Sequence, residues 1–220
     1  MKKLLVLGMA VALASAAFAF PTQLTPTGGV LVPNAVAASG ISIAVFEPAG
    51  AVDVPQTTVL FGAMEGLELG ATYFDGPGAA GDTMWSLSAK YVLPIDLAGL
   101  QLAAGLIYSD TGATNPMALY LSGEYALMED VKLIGSVLSF DPDTAVDSEV
   151  SFAAGIEKAF DNGAVGAEYV LEDYLLAADD SVNLYADFMV NDAITARLAY
   201  TGIFAAGADL SIALQYAFGE

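Results

Sequence analysis

The chain has 220 residues and a formal charge of −20, because 26 aspartates and glutamates outnumber 6 lysines and arginines. A chain this acidic lacks the basic face that nucleic-acid binding requires. Without cysteine it can form neither a disulfide nor a thiolate metal site. Apolar residues make up 56% of the chain, yet no apolar run after residue 20 is long enough for a spanning helix, so the composition favours a membrane protein that crosses with strands.

The first residues have the features of a secretory signal peptide. Lys2 and Lys3 precede an apolar stretch, and the small residues that follow end in Ala17-Phe18-Ala19, which fits a signal-peptidase site. We therefore predict a signal peptide over residues 1–19. The alternative is a single membrane anchor, but the apolar stretch is short for the ~20 residues that a spanning helix needs.

Residues 20–38 are rich in proline and glycine and show no regular alternation. We interpret them as an N-terminal lead segment, either periplasmic or entering the lumen of a barrel as a plug. The remaining residues, 39–220, are predicted to form one transmembrane domain.

From Ser39 onward, apolar side chains recur with a period of two, which indicates β-strands. The alternation is clear in most segments, but it is weak at 56–63 and poor at 131–140, where Ile134 and Leu138 fall on the face that should be polar. The predicted strands are 39–47, 56–63, 66–74, 83–93, 99–108, 117–127, 131–140, 149–159, 163–172, 181–190, 193–203 and 208–218.

Short and long connections alternate between these strands. Tight turns are predicted at Met64-Glu65, Met128-Glu129-Asp130, Asp161-Asn162-Gly163 and Asn191-Asp192, and longer segments lie near 48–55, 75–82, 109–116, 141–148 and 173–180. This asymmetry is typical of outer-membrane barrels. The sequence therefore predicts an all-β fold, a transmembrane antiparallel up-and-down β-barrel of about 12 strands. A soluble β-sandwich is the alternative, but its outward faces would be polar, whereas the non-apolar faces here are mainly Gly, Ala and Ser.

Aromatic residues lie near both ends of the predicted strands. Amphipathic rings favour the boundary between lipid and water, so we predict two aromatic girdles, with Phe140 also in the band next to the long connections. The girdle residues are Tyr73, Trp85, Tyr91, Tyr108, Tyr125, Tyr216 and Phe218.

If the apolar faces point to lipid, a set of charged residues points into the lumen. Small inward residues such as Gly105 and Ser122 would leave room for water, and the net negative charge would favour cations. Alternatively, ion pairs around Lys90 and Arg197 brace a filled barrel. We favour a narrow, water-filled lumen. The predicted lumen-lining residues are Glu68, Lys90, Glu124, Glu157, Glu168, Asp187 and Arg197.

Chemistry elsewhere in the chain is sparse. Asp141, Asp143 and Asp147 lie close together in one loop and are candidate ligands for loosely bound Ca²⁺ or Mg²⁺. They lack the glycine and the spacing of an EF-hand, so a solvated acidic loop is the favoured interpretation. No other cofactor is predicted. The chain has no histidine, the usual general base near neutral pH, so we predict that it is not an enzyme.

The signal peptide, the strands of about ten residues and the closing segment LSIALQYAFGE resemble Gram-negative outer-membrane β-barrel proteins. The resemblance implies a bacterial outer-membrane location and recognition of a terminal aromatic by the barrel-insertion machinery. Here Gly219 and Glu220 follow Phe218, which departs from that pattern. The segment Thr25-Pro26-Thr27-Gly28-Gly29-Val30-Leu31 is similar to the lead-in of porin-like barrels linked to exopolysaccharide export.

These observations predict a small, passive, cation-preferring channel whose partners are outer-membrane lipid and small cationic or neutral solutes. Two alternatives remain open. One is a non-conducting structural or surface-interaction barrel with acidic external loops, and the other is an accessory barrel in exopolysaccharide export.

Overall fold

A computed structural model describes residues 40–49, 56–74, 84–95, 97–110, 115–141, 149–171, 180–203 and 209–218. The predicted signal peptide and lead segment, and with them the export-like segment 25–31, lie outside the described residues. Asp143 and Asp147 lie outside them too. No helix in the described part of the chain is both long and apolar enough to cross a membrane.

Twelve strands account for most of the described residues, and each coincides with a predicted strand to within a few positions. The twelve-stranded, all-β fold predicted from the alternation is therefore confirmed. The strands are Ile41–Ala49 (β1), Gln56–Met64 (β2), Leu67–Phe74 (β3), Met84–Val92 (β4), Leu100–Asp110 (β5), Met117–Met128 (β6), Val131–Asp141 (β7), Glu149–Phe160 (β8), Gly163–Val170 (β9), Ser181–Asn191 (β10), Ile194–Ile203 (β11) and Asp209–Phe218 (β12).

Every strand pairs antiparallel with its neighbours in the sequence, and β12 pairs with β1 to close the barrel. The closing register runs without interruption from Ile41 opposite Phe218 to Ala49 opposite Leu210. On the inner side of this seam, Gln215 Nε2 donates a hydrogen bond to Ser42 Oγ at 3.1 Å. Because the sheet is closed on itself, it has no edge strand with unpaired backbone groups, and the β-sandwich alternative is wrong.

Apart from the connection between β4 and β5, the connections at one end of the barrel are shorter than those at the other, as the sequence predicts. At one end, residues 65–66, 129–130, 161–162 and 192–193 form tight turns, and β4 connects to β5 through 93–99. Gly66 adopts a φ of 77° in the first of these turns, a backbone conformation that residues other than glycine rarely adopt. At the other end, the connections span 50–55, 75–83, 111–116, 142–148, 171–180 and 204–208.

Large apolar side chains cover the outside of the barrel, and polar and small side chains point inward. Leu119, Leu121 and Tyr125 of β6 are exposed, whereas Tyr120, Ser122 and Glu124 between them are buried. The same alternation holds in the other strands for which burial is described. A single closed sheet has no second layer to cover its outer face, so this apolar surface has lipid as its natural solvent.

Part of the inner face is apolar, which explains the irregular pattern of β7. Ile134 and Leu138 are 6% and 0% exposed, and both point into the barrel rather than breaking the strand. Phe140 is also buried, so the prediction that it joins an outer aromatic band is wrong. These side chains belong to a cluster toward the end with the long connections, formed by Ile107, Ala118, Tyr120, Ile134, Leu138, Phe140, Ala153 and Val170.

Two tyrosine rings lie over glycines on the neighbouring strand inside the barrel. Tyr120 pairs with Gly105, and Tyr185 pairs with Gly166. A Cβ atom added to either glycine would overlap the tyrosine ring. The expectation that Gly105 leaves room for water is therefore wrong, because the space above it is filled by Tyr120.

The predicted girdle residues lie on the outer face. Tyr73 is opposite Trp85 in the β3–β4 register, and the rings of Trp85 and Tyr108 are 5.7 Å apart, all three next to the long connections. Near the short turns, the rings of Tyr216 and Phe218 pack edge to face, with their centres 4.7 Å apart. Their position at the membrane boundary stays a prediction.

Trp85 is the only tryptophan in the chain, so its fluorescence reports its depth in a bilayer. We expect the refolded protein to be quenched more strongly by lipids brominated near the headgroup than by lipids brominated near the terminal methyl, since interfacial rings sit at headgroup level. A Trp85→Phe/Leu121→Trp variant, with tryptophan at the middle of β6, should show the opposite order. Equal quenching of the two proteins would contradict the girdle assignment.

Gly105→Ala should destabilise the barrel by about 1–3 kcal/mol, since the added methyl group meets a ring that is buried in the apolar cluster. Gly135→Ala is the matched control, because its Cβ would come no closer than 3.9 Å to any neighbour, and such changes alter stability by less than about 0.5 kcal/mol. Urea unfolding from lipid vesicles measures both. Equal stabilities would show that Tyr120 does not pack over Gly105 as described.

Candidate functional site

The seven residues predicted to line the lumen all lie on the buried face of the closed sheet, with exposed fractions between 1% and 6%. In a barrel with one layer, a buried side chain is one that points inside. Solvent reaches very little of these side chains, so the interior is closely packed at their level.

Glu68 and Lys90 form the first ion pair. They are opposite each other in the β3–β4 register, and Lys90 Nζ lies 3.1 Å from Glu68 Oε1. The pairing follows from the alternation, since facing residues on one side of two antiparallel strands have their Cβ atoms about 5 Å apart.

Asp187 and Arg197 form the second pair in the same way, opposite each other in the β10–β11 register. Arg197 Nε and Nη2 donate to the two carboxylate oxygens of Asp187 at 2.6 and 2.7 Å. The guanidinium carbon also lies 4.6 Å from the centre of the Tyr185 ring. The bidentate hydrogen bonds to Asp187 and the cation–π contact with Tyr185 together hold this arginine in one position.

Lys132 forms a third contact that the sequence analysis missed. Its ammonium group lies 2.8 Å from Glu124 Oε1 and 3.0 Å from Glu157 Oε1, because β7 runs between β6 and β8. The sequence did not show that Lys132 points inward, although it lies on the same face of β7 as Ser136. The apolar residues Ile134 and Leu138 on that same face obscured it.

The contacts of Lys132 and Arg197 join into one network along the inner wall, which we call the interior network; the Glu68–Lys90 pair is not part of it. It runs from Glu124 through Lys132 to Glu157, whose Oε2 accepts a hydrogen bond from the Tyr185 hydroxyl at 2.8 Å. Tyr185 then contacts Arg197, which binds Asp187. The interior network therefore crosses from β6 to β11, in the half of the barrel next to the short turns.

Glu168 lies beside this network on β9. Asn183 Nδ2 is 3.5 Å from Glu168 Oε2, at the long limit for a hydrogen bond. Among the described inner side chains, five carboxylates (Glu68, Glu124, Glu157, Glu168 and Asp187) stand against three cationic groups (Lys90, Lys132 and Arg197). The formal charge of this inner wall is therefore −2.

The opposite part of the wall is lined differently. Among the described residues of β12, β1 and β2, the buried side chains are uncharged. Hydroxyl and amide groups provide the polar contacts there, as in the 2.9 Å hydrogen bond between Thr58 and Thr72 of β3. The interior thus has a charged side, braced by ion pairs, and a neutral hydroxyl-rich side.

The candidate metal ligands are the three aspartates Asp141, Asp143 and Asp147. Asp141 is the last residue of β7, and the other two predicted ligands lie outside the described residues. No group of three or more side chains able to ligate a metal occurs in the described part of the chain. A loop-bound Ca²⁺ or Mg²⁺ stays a prediction.

No family model and no curated protein sequence matches the chain. Solved structures do match it in fold. The KdgM porin aligns with a TM-score of 0.67 at 13% identity, covering 81% of this chain and 99% of that one. The NanC porin aligns at 0.56 and 9%, covering 82% and 100%, and the outer membrane protein Omp33 of Acinetobacter baumannii at 0.57 and 8%, covering 81% and 98%.

These alignments extend over nearly the whole of each solved barrel and include most of this chain. The sequence identities are too low to transfer an activity to this chain. The structural alignments establish its architecture. In its fold the chain is a twelve-stranded, closed antiparallel β-barrel similar to those of the porins.

Proposed function

We propose that the chain is a narrow, passive channel in a bacterial outer membrane that prefers small cations and also admits small neutral solutes. The observation that carries the proposal is an enclosed interior wall, whose described side chains have a formal charge of −2, inside a barrel with an apolar exterior. Rings of carboxylates favour cations in pores. The fold shared with the KdgM and NanC porins supports a passive channel, and the fold shared with the outer membrane protein Omp33 supports that location.

The interior dimensions argue for a narrow path. Eight-stranded barrels are filled by side chains, whereas barrels of sixteen strands hold an aqueous channel, and twelve strands lie between them. Seven of the eight charged wall residues are at most 6% exposed, and the side chain of the eighth, Lys132, is 21% exposed; a wide water-filled pore would expose them more. A narrow path limits the solutes to small ones and brings them close to the wall charges.

The solute class is expected to differ from that of one structural neighbour. A KdgM structure is described as a complex with disordered oligogalacturonate, a chain of acidic sugars. In this protein the inner wall carries net negative charge, which repels a polyanion. Cations and small neutral solutes are therefore the proposed cargo, and no catalytic role is assigned to any residue.

The same burial favours a second candidate, a non-conducting structural barrel. Its ion pairs would serve to fill and brace the interior, as the Lys90 and Arg197 contacts do. The partners proposed for the channel, outer-membrane lipid and the barrel-insertion machinery, apply equally to this candidate. The two candidates differ in whether ions cross the barrel.

In planar bilayers the purified, folded protein should give discrete conductance steps, and a salt gradient should give a reversal potential on the cation-selective side. Folding is checked beforehand by the shift in gel mobility on heating. Absence of conductance by folded protein would support the structural barrel instead, and an anion-selective reversal potential would contradict the charge argument.

Glu168→Gln should lower the cation-to-anion permeability ratio at least two-fold at low salt. A unit charge ~10 Å from the path contributes roughly 0.4 to 1.7 kcal/mol for effective dielectric constants between about 80 and 20. Glu129→Gln makes the same chemical change in the exposed turn between β6 and β7 and should leave the ratio unchanged. Equal ratios for both variants would show that Glu168 does not face the ion path.

A further inference from the structure

We propose that Lys132 sets the strength of the cation preference by acting as a tethered counter-ion. Its ammonium group occupies the place between Glu124 and Glu157 that a permeating cation would otherwise take. This inference rests on the proposed function, because it assigns a role to one residue of the same inner wall.

The arrangement of the two carboxylates supports this role. Glu124 comes from β6 and Glu157 from β8, and one oxygen of each is within 3.0 Å of the same nitrogen. The second oxygen of Glu157 is held by the Tyr185 hydroxyl, so this carboxylate keeps its orientation whether or not the ammonium is present. Two carboxylates that converge on one point, one of them held in its orientation, form a site for a positive ion, and here the protein supplies that ion itself.

Lys132 is also the member of the interior network that is best placed to leave. Its side chain is 21% exposed, compared with 8% for Glu124 and 7% for Glu157. A lysine carries its charge on a flexible four-carbon chain, whereas the planar guanidinium of arginine is held by paired hydrogen bonds. Arg197 is fixed in this way by Asp187 and Tyr185, so Lys132 is the exchangeable cation and Arg197 the permanent one.

The charge balance shows what the tether does. With Lys132 bound, the described inner wall carries −2, and without it the wall carries −3, with two adjacent carboxylates that have lost their shared cation. Conduction requires binding weak enough for the ion to leave. By competing for Glu124 and Glu157, Lys132 keeps the affinity for passing cations, above all divalent ones, low.

Lys132→Met tests the proposal directly. We expect the cation-to-anion permeability ratio to rise at least two-fold, and millimolar CaCl₂ to block the variant but not the parent. Lys158→Met is the matched control. Lys158 is 52% exposed and pairs at 3.3 Å with Asp130, so removing it deletes the same charge away from the interior and should change neither property. If both variants behave like the parent, the proposal is wrong.

A second measurement does not depend on conduction. Ca²⁺ should raise the unfolding temperature of Lys132→Met in detergent, or restore its folding if it folds poorly, because the ion replaces the missing ammonium. Lys132→Met/Glu124→Gln, which removes one carboxylate together with the cation, should lose this response. If the parent does not conduct but this pattern is found, the channel function fails while the cation site stands. If Ca²⁺ neither stabilises nor restores Lys132→Met, the tethered counter-ion is wrong.

Lys132→Arg tests whether the side chain exchanges with permeating cations, because it keeps the formal charge of the described inner wall at −2. A guanidinium held by two carboxylates leaves them less readily than an ammonium. We therefore expect the single-channel conductance in KCl to fall by about half or more while the selectivity stays on the cation side. A conductance equal to that of the parent would contradict exchange of the side chain during permeation.

Discussion

The pairing of β1 with β12 is the interaction on which the rest of the structure depends. In hydrocarbon, no water is available to form a hydrogen bond with an unpaired backbone N–H or C=O group. The eleven pairs of strands that are consecutive in the sequence would by themselves leave two strands with unpaired edges. The uninterrupted register from Ile41–Phe218 to Ala49–Leu210 removes both edges at once. Once the ring is closed, each strand must send alternate side chains to lipid and to a confined interior, and the composition of both faces follows.

Confinement of the interior explains why its charges occur in contact with one another. An ionised group removed from water is tolerated when opposite charges and hydrogen bonds replace its hydration. Strand register supplies such neighbours for Lys90 and Arg197, which are opposite Glu68 and Asp187. Lys132 reaches carboxylates on both flanking strands. The ion pairs that the sequence offered as an alternative to a water-filled lumen are therefore present, and the excess of carboxylates is the basis of the proposed cation preference.

The sequence predicted the fold well because a strand with one face toward lipid alternates apolar side chains with polar or small ones, as in β6, β10 and β12. The interior was predicted less completely, because a wall position can be polar or apolar. Ile134 and Leu138 made β7 look irregular, and the position of Lys132 on the same face was missed for that reason. Phe140 was misplaced because position near a strand end does not reveal which face a ring occupies. The closeness of Tyr120 to Gly105 depends on register across two strands, which alternation alone does not provide.

The uneven lining of the wall has a mechanical consequence. Ion pairs and ring contacts tie β6 to β11 together across several strands, whereas β12, β1 and β2 rely on backbone pairing and a few hydroxyl and amide contacts. We therefore expect the part of the wall with ion pairs to resist lateral pressure from the surrounding lipid more than the part that contains the closing seam. In that case the thickness or tension of the bilayer would alter the width of the proposed passage without breaking any of the described ion pairs.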